Sequence, residues 1–110
     1  MDQAILVLTN VPDLDCAKLV ARTFVESRLA ACVNLLPAVQ SMYRWEGQIE
    51  EATEITLLIK TTSHQYEELQ KAIVGLHPYV LPEIIVMPIV AGYAPYLQWI
   101  ATETAKDSHA

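Results

Sequence analysis

Residues 32–61 read CVNLLPAVQSMYRWEGQIEEATEITLLIKT, and this stretch decides the fold. Two long arms rich in β-branched and aromatic residues, Cys32 to Trp45 and Ile49 to Thr61, flank Glu46-Gly47. A glycine in a short turn between such arms signals a β-hairpin. Pro37 cannot donate to a ladder, so it marks a bulge or an edge segment in the first arm. The second arm alternates near its end, with Ile55, Leu57 and Ile59 opposing Thr56, Leu58 and Lys60. Fully extended, that arm spans roughly 43 Å at the usual strand rise. A compact domain of this length has a diameter of about 34 Å, so the hairpin is expected to overhang its own core.

Upstream, Ala4 to Leu8 (AILVL) is a short apolar run suited to a strand buried on both faces, punctuated by Asn10, Pro12 and Asp13. A helix follows, with Leu14, Ala17, Ala21, Phe24 and Val25 on one stripe and Asp13 or Asp15 at its positive end. Downstream of the hairpin, Thr62 or Ser63 is expected to cap a second helix with Tyr66, Leu69, Ile73 and Leu76 on one face. His77-Pro78 stops it. Glu83 to Val90 reads as a last strand, and Gly92 and Pro95 introduce a short third helix containing Leu97, Trp99 and Ile100. The order β-α-β-β-α-β plus a helix predicts an α+β, ferredoxin-like antiparallel sheet with two helices on one face. The 110 residues are read as one domain, 1–110, with residues 105–110 a frayed tail.

Composition narrows the function classes. The net charge is −6, and seven Lys and Arg are scattered without a cluster, which disfavours nucleic acid and anionic membrane surfaces as partners. Hydrophobic residues make up 53% of the chain, a surplus that in a small domain often ends in an interface. Cys16 and Cys32 form no ligand spacing and read as buried, reduced thiols. With no basic leader segment, the expected location is the cytoplasm. There is no G-x-S-x-G, no H-E-x-x-H and no glycine-rich phosphate loop; the Thr9 to Asp13 loop also lacks the Arg an acylphosphatase-like hydrolase needs. No catalytic residues and no enzymatic activity are expected.

Two features do not close within one chain: the overhanging hairpin, with Tyr43 and Trp45 near its tip, and the last strand, apolar on both faces yet holding Pro88. Proline implies an edge, and an apolar edge invites pairing. A homo-oligomer is the expected solution, the partner being the chain itself.

His77 is the most suggestive polar residue. A neutral imidazole can ligate copper or zinc, while a helix-end histidine ordinarily bonds backbone carbonyls and the helix dipole. Lys60, Glu54 and Glu83 lie in or beside strands and read equally well as a polar cluster in a cleft between subunits or as edge charges and intersubunit ion pairs.

Several segments together carry a resemblance over nearly the whole chain: Arg28-Leu-Ala-Ala-Cys-Val-Asn34, Tyr43-Arg-Trp-Glu-Gly47, Ile59-Lys-Thr-Thr62, His77-Pro-Tyr79, Pro82-Glu-Ile84 and Tyr96-Leu-Gln-Trp99. In order and spacing they resemble the CutA divalent-cation-tolerance family. The resemblance implies a homotrimer packed through long hairpins, similar in architecture to the PII signalling proteins, whose effectors bind between subunits. It also implies a role in the response to metal ions. Copper ligation in the family is attributed to a cysteine ending the first strand and a histidine pair before Pro-Tyr. Those positions are Thr9 and Leu76-His77 here, so only His77 carries over, implying weak binding of copper or another divalent metal that folding does not require. The other expectation is a PII-like sensor or scaffold whose intersubunit cleft, formed by Trp45, Glu54, Lys60, His77, Tyr79 and Glu83, takes a small ligand or a partner protein.

Overall fold

The computed structural model describes residues 3–106. The elements run β1 (Ala4–Val11), α1 (Leu14–Glu26), β2 (Cys32–Trp45), β3 (Gln48–Thr62), α2 (Tyr66–Leu76), β4 (Ile85–Pro88) and α3 (Ala94–Glu103). One antiparallel sheet has the order β2-β3-β1-β4, the α+β arrangement expected. Of the expected tail, Ala105 and Lys106 lie beyond α3, and 107–110 fall outside the described residues.

The hairpin turn places Glu46 at φ 49° and Gly47 at φ 81°. Two left-handed central residues define the turn whose twist matches that of antiparallel strands. Leu36 faces Thr56 and Val39 faces Glu54, so Pro37 and Ala38 together oppose Ile55, with Ala38 at φ 59°. This is the bulge that Pro37 implied, and it spares the proline a ladder bond. It lies level with the end of β1, whose last partner is also Ile55. Beyond that point, residues Gln48 to Glu54 have only β2 beside them. The molecule is accordingly elongated, 49 × 31 × 22 Å, with a radius of gyration of 14.8 Å against about 13 Å for a compact chain of this size.

Alternation along β1 sends Ile5, Val7, Thr9 and Val11 into the core. They pack with Leu57 and Ile59 of β3 against Ala17, Val20 and Phe24 of α1 and Leu69 and Ile73 of α2. Leu14 and Val25, expected on the α1 stripe, flank it and stay exposed. The Asp13 carboxylate caps α1 by accepting from the Cys16 backbone N–H at 2.8 Å.

The other sheet face carries Leu6, Leu8, Leu58, Ile85 and Met87, brought side by side by the register. It meets α3 at its Lys60–Thr62 end, where the Thr62 and Thr104 hydroxyls bond at 2.9 Å and Lys60 Nζ donates to Tyr96 Oη at 3.3 Å. The remainder is open, with Ile85 and Leu36 exposed. No helix among the described residues is long and apolar enough to cross a membrane.

Four expectations need correction. β1 continues to Val11 rather than stopping at Leu8, because Thr9 to Val11 pair with Leu57 to Ile55. β4 is four residues rather than Glu83 to Val90: only Ile85 to Pro88 pair with β1, at Leu8 to Ile5. The α2 entrance is a 3-10 turn at Ser63–Gln65 with no side-chain cap at Thr62; within it His64 is half-buried and bonds Thr62 and the Thr104 carbonyl. Cys16 and Cys32 are half-buried rather than buried.

Thr9 is fully buried, and its hydroxyl has no hydrogen-bond partner among the described residues. An unsatisfied buried hydroxyl costs about 1–3 kcal/mol. Thr9→Val keeps the shape and removes the polar group, so it should raise the unfolding free energy in urea by about 1 kcal/mol. A loss of stability would show that the hydroxyl is satisfied.

Candidate functional site

Glu54 occupies the first β3 position past the reach of β1, and the segment joining α2 to β4 folds back across it. His77 sets the start of that segment. It ends α2, its backbone N–H donating to Ile73 O at 2.8 Å. Its ring is held from both sides. Nε2 lies 2.6 Å from the Asn10 carbonyl, and Nδ1 lies 3.2 Å from the Tyr79 backbone N–H. A carbonyl only accepts and a backbone N–H only donates, so the imidazole is neutral with its proton on Nε2. The ordinary helix-end reading of His77 describes these contacts.

Tyr79 stacks at a tilt on His77, centroids 4.6 Å apart, and its phenol donates to Glu54 Oε2 at 2.8 Å. Burial, and then the bond to and charge of Glu54, push the Tyr79 hydroxyl well above the usual tyrosine range. Asn10 is the hub: besides its carbonyl, its Oδ1 accepts from Thr56 Oγ1 at 2.6 Å and its Nδ2 donates to Glu83 Oε1 at 3.1 Å.

These groups border a cleft of about 560 Å³. Asn10, Glu54, Tyr79 and Glu83 supply its polar groups, Met42, Tyr43 and Trp45 its hairpin wall, and Val80 and Leu81 the opposite lip. Four residues expected in a cleft, Trp45, Glu54, Tyr79 and Glu83, thus meet within one chain. His77 stands behind Tyr79 and orients it. Lys60 is elsewhere, its ammonium 5.5 Å from the Tyr96 ring centroid.

Asn10, Met42, Val80 and Leu81 are among the members that sequence reasoning missed. Asn10 reads as turn punctuation; its one signal is a polar residue continuing the strand parity of Leu6 and Leu8. Val80 and Leu81 are 93% and 70% exposed, an apolar pair on a loop that no periodicity flags.

Among the described residues, no three His, Cys, Asp or Glu side chains converge as metal ligands. Ligation by His77 would require it to release one of its two bonds. Thr9 points into the core. The Cys16 thiol is pushed up by burial and then by Asp13, which keeps it protonated.

Tyr79→Phe leaves buried Glu54 without its donor, and should cost about 1–3 kcal/mol at neutral pH. A tyrosine whose pKa is raised by folding stabilises fully below its unfolded value, and that contribution is lost as pH climbs through the folded one. The gap between wild type and Tyr79→Phe should therefore be constant at neutral pH and narrow above about pH 10. Denaturant melts across pH 7 to 11 check this; a gap that widens with pH rejects it.

The match to known proteins covers both sequence and fold. The family model described as CutA1 divalent ion tolerance protein matches residues 5–103. The divalent-cation tolerance protein CutA of Thermus thermophilus is 44% identical over 99 residues, spanning 90% of this chain and 96% of that protein. Protein CutA of Homo sapiens is 46% identical over 99 residues, 88% of this chain but 55% of the human protein. The crystal structure of CutA1 from Oryza sativa superposes with a TM-score of 0.92 at 34% identity, covering 96% of each chain. The chain belongs to the CutA1 divalent ion tolerance family.

Proposed function

We propose that the protein serves divalent-cation tolerance as a homotrimer that catalyses no reaction, and that its own contact with copper or another divalent metal is weak and made through His77. The observation that carries the assembly is the β3 edge from Gln48 to Glu54, which β1 leaves unpaired, beside an apolar sheet face that α3 leaves largely open. Paired strands and buried leucines from other copies satisfy both at once. The names its relatives carry describe tolerance of divalent ions rather than a reaction, which supports the absence of catalysis. Weak metal affinity follows from a single histidine that must give up a hydrogen bond to coordinate. The free thiols of Cys16 and Cys32 suit a reducing, cytoplasmic setting.

A second reading, a PII-like sensor of a small ligand or a scaffold for a partner protein, is favoured by the volume and mixed lining of the cleft at Trp45, Glu54, Tyr79 and Glu83.

Sedimentation equilibrium should return three chain masses for the wild type and a smaller species for Ile85→Glu, whose charge falls on the open face. A monomeric wild type rejects the assembly. In calorimetric Cu(II) titrations, a weak site should appear and vanish in His77→Ala. Heat that is absent from the start, or indifferent to His77, rejects direct metal contact and moves the weight to the sensor reading.

A further inference from the structure

We propose that the cleft between the hairpin and the 79–83 segment binds a small organic ammonium ion, with its charge at Glu54 and Glu83 and its apolar arm against Tyr43 and Trp45. This deepens the sensor reading and rests on it.

Glu54 carries the argument. It is only 6% exposed, yet its carboxylate receives one hydrogen bond, from the neutral phenol of Tyr79 at Oε2. Its Oε1 takes none among the described residues, although the side chain lines the cavity. A carboxylate oxygen without a protein donor at the wall of a cavity is a ready partner for a cation that enters it. Glu83, an exposed side chain on the same cleft, adds a second carboxylate: Oε1 accepts from the Asn10 amide, and Oε2 has no partner among the described residues. No Lys, Arg or His of the described residues lines the cavity, and Lys60 is engaged with Tyr96.

The walls select the kind of cation. Tyr43 and Trp45 offer aromatic surface, which attracts an ammonium group through the ring quadrupole. A bare or hydrated metal ion would leave those walls and most of the 560 Å³ unused. Anions are opposed by both carboxylates. The volume matches a small organic molecule with an apolar body.

The test is isothermal titration of the purified full-length protein with phenethylammonium chloride, and with 3-phenylpropionate and ATP at matched ionic strength. Phenethylammonium should bind saturably, once per chain, and quench Trp45 emission; phenylpropionate, of similar shape and opposite charge, should not bind. Glu83→Gln and Glu54→Gln should each weaken the ammonium by about tenfold or more, the scale of losing one charged partner. The amide introduced by Glu54→Gln retains an acceptor for Tyr79, and unchanged mass and melting temperature verify the fold. Binding indifferent to both substitutions, or equal for the two charge types, overturns the proposal. So does an oligomer that takes no ammonium because a second copy's basic side chain fills the cleft. If phenylpropionate or ATP saturates the same cleft instead, the ammonium assignment fails while the sensor reading stands; if none of the three binds, both fail.

Discussion

β3 runs for fifteen residues and β1 for eight, and their ladder closes at Val11 and Ile55. The rest of the architecture answers to that inequality. While β1 lies alongside, β3 is a central strand, packed by helices on one face and partly by α3 on the other. Where β1 stops, β3 becomes half of a bare two-stranded ribbon, and such a ribbon is marginal in water by itself. The bulge at Pro37 and Ala38 falls at this boundary. A change in strand direction there costs no pairing with β1, and proline is tolerated because a bulged residue owes the ladder nothing.

The same boundary creates the cleft. A carboxylate next to Ile55 would face another strand if β1 were longer; as it stands, Glu54 faces the returning segment after α2, and Tyr79 reaches it. Asn10 fastens the arrangement because it sits at the end of β1 with its backbone carbonyl toward His77 and its amide between Thr56 and Glu83. Strand pairing, loop conformation and carboxylate placement thus pass through one residue.

Much of the fold was legible because its determinants are local. Glu46-Gly47 reports its own turn, Pro37 its own bulge, and the periodicity of Leu69 and Ile73 its own helix. The lengths of β1 and β4 were not legible, since each is set by pairing with other strands. At its Pro88 end β4 runs out near the start of β1, where the Ile89 N–H still reaches the Ala4 carbonyl, whereas at its Ile85 end pairing ceases although β1 continues to Val11. The candidate site was legible in its titratable and aromatic members and illegible in Asn10, whose role is relational: nothing about an asparagine before Val-Pro indicates that three partners converge on it. Lys60 shows the converse. Its charge on a strand suggested the cleft, and its parity was readable, but the Tyr96 hydroxyl it meets is brought there by α3.

The tight turn at Glu46-Gly47 also bears on the order in which the chain assembles. The β2–β3 ladder joins neighbours in sequence, so its loop-closure cost is small and a hairpin of this kind zips in microseconds. Every bond that β1 makes to the sheet waits for residues beyond Ile55. During synthesis β1 therefore emerges first and docks late, with α1 formed beside it and no strand to receive it. The hairpin that projects from the finished molecule is, in time, the template onto which the N-terminal strand is laid.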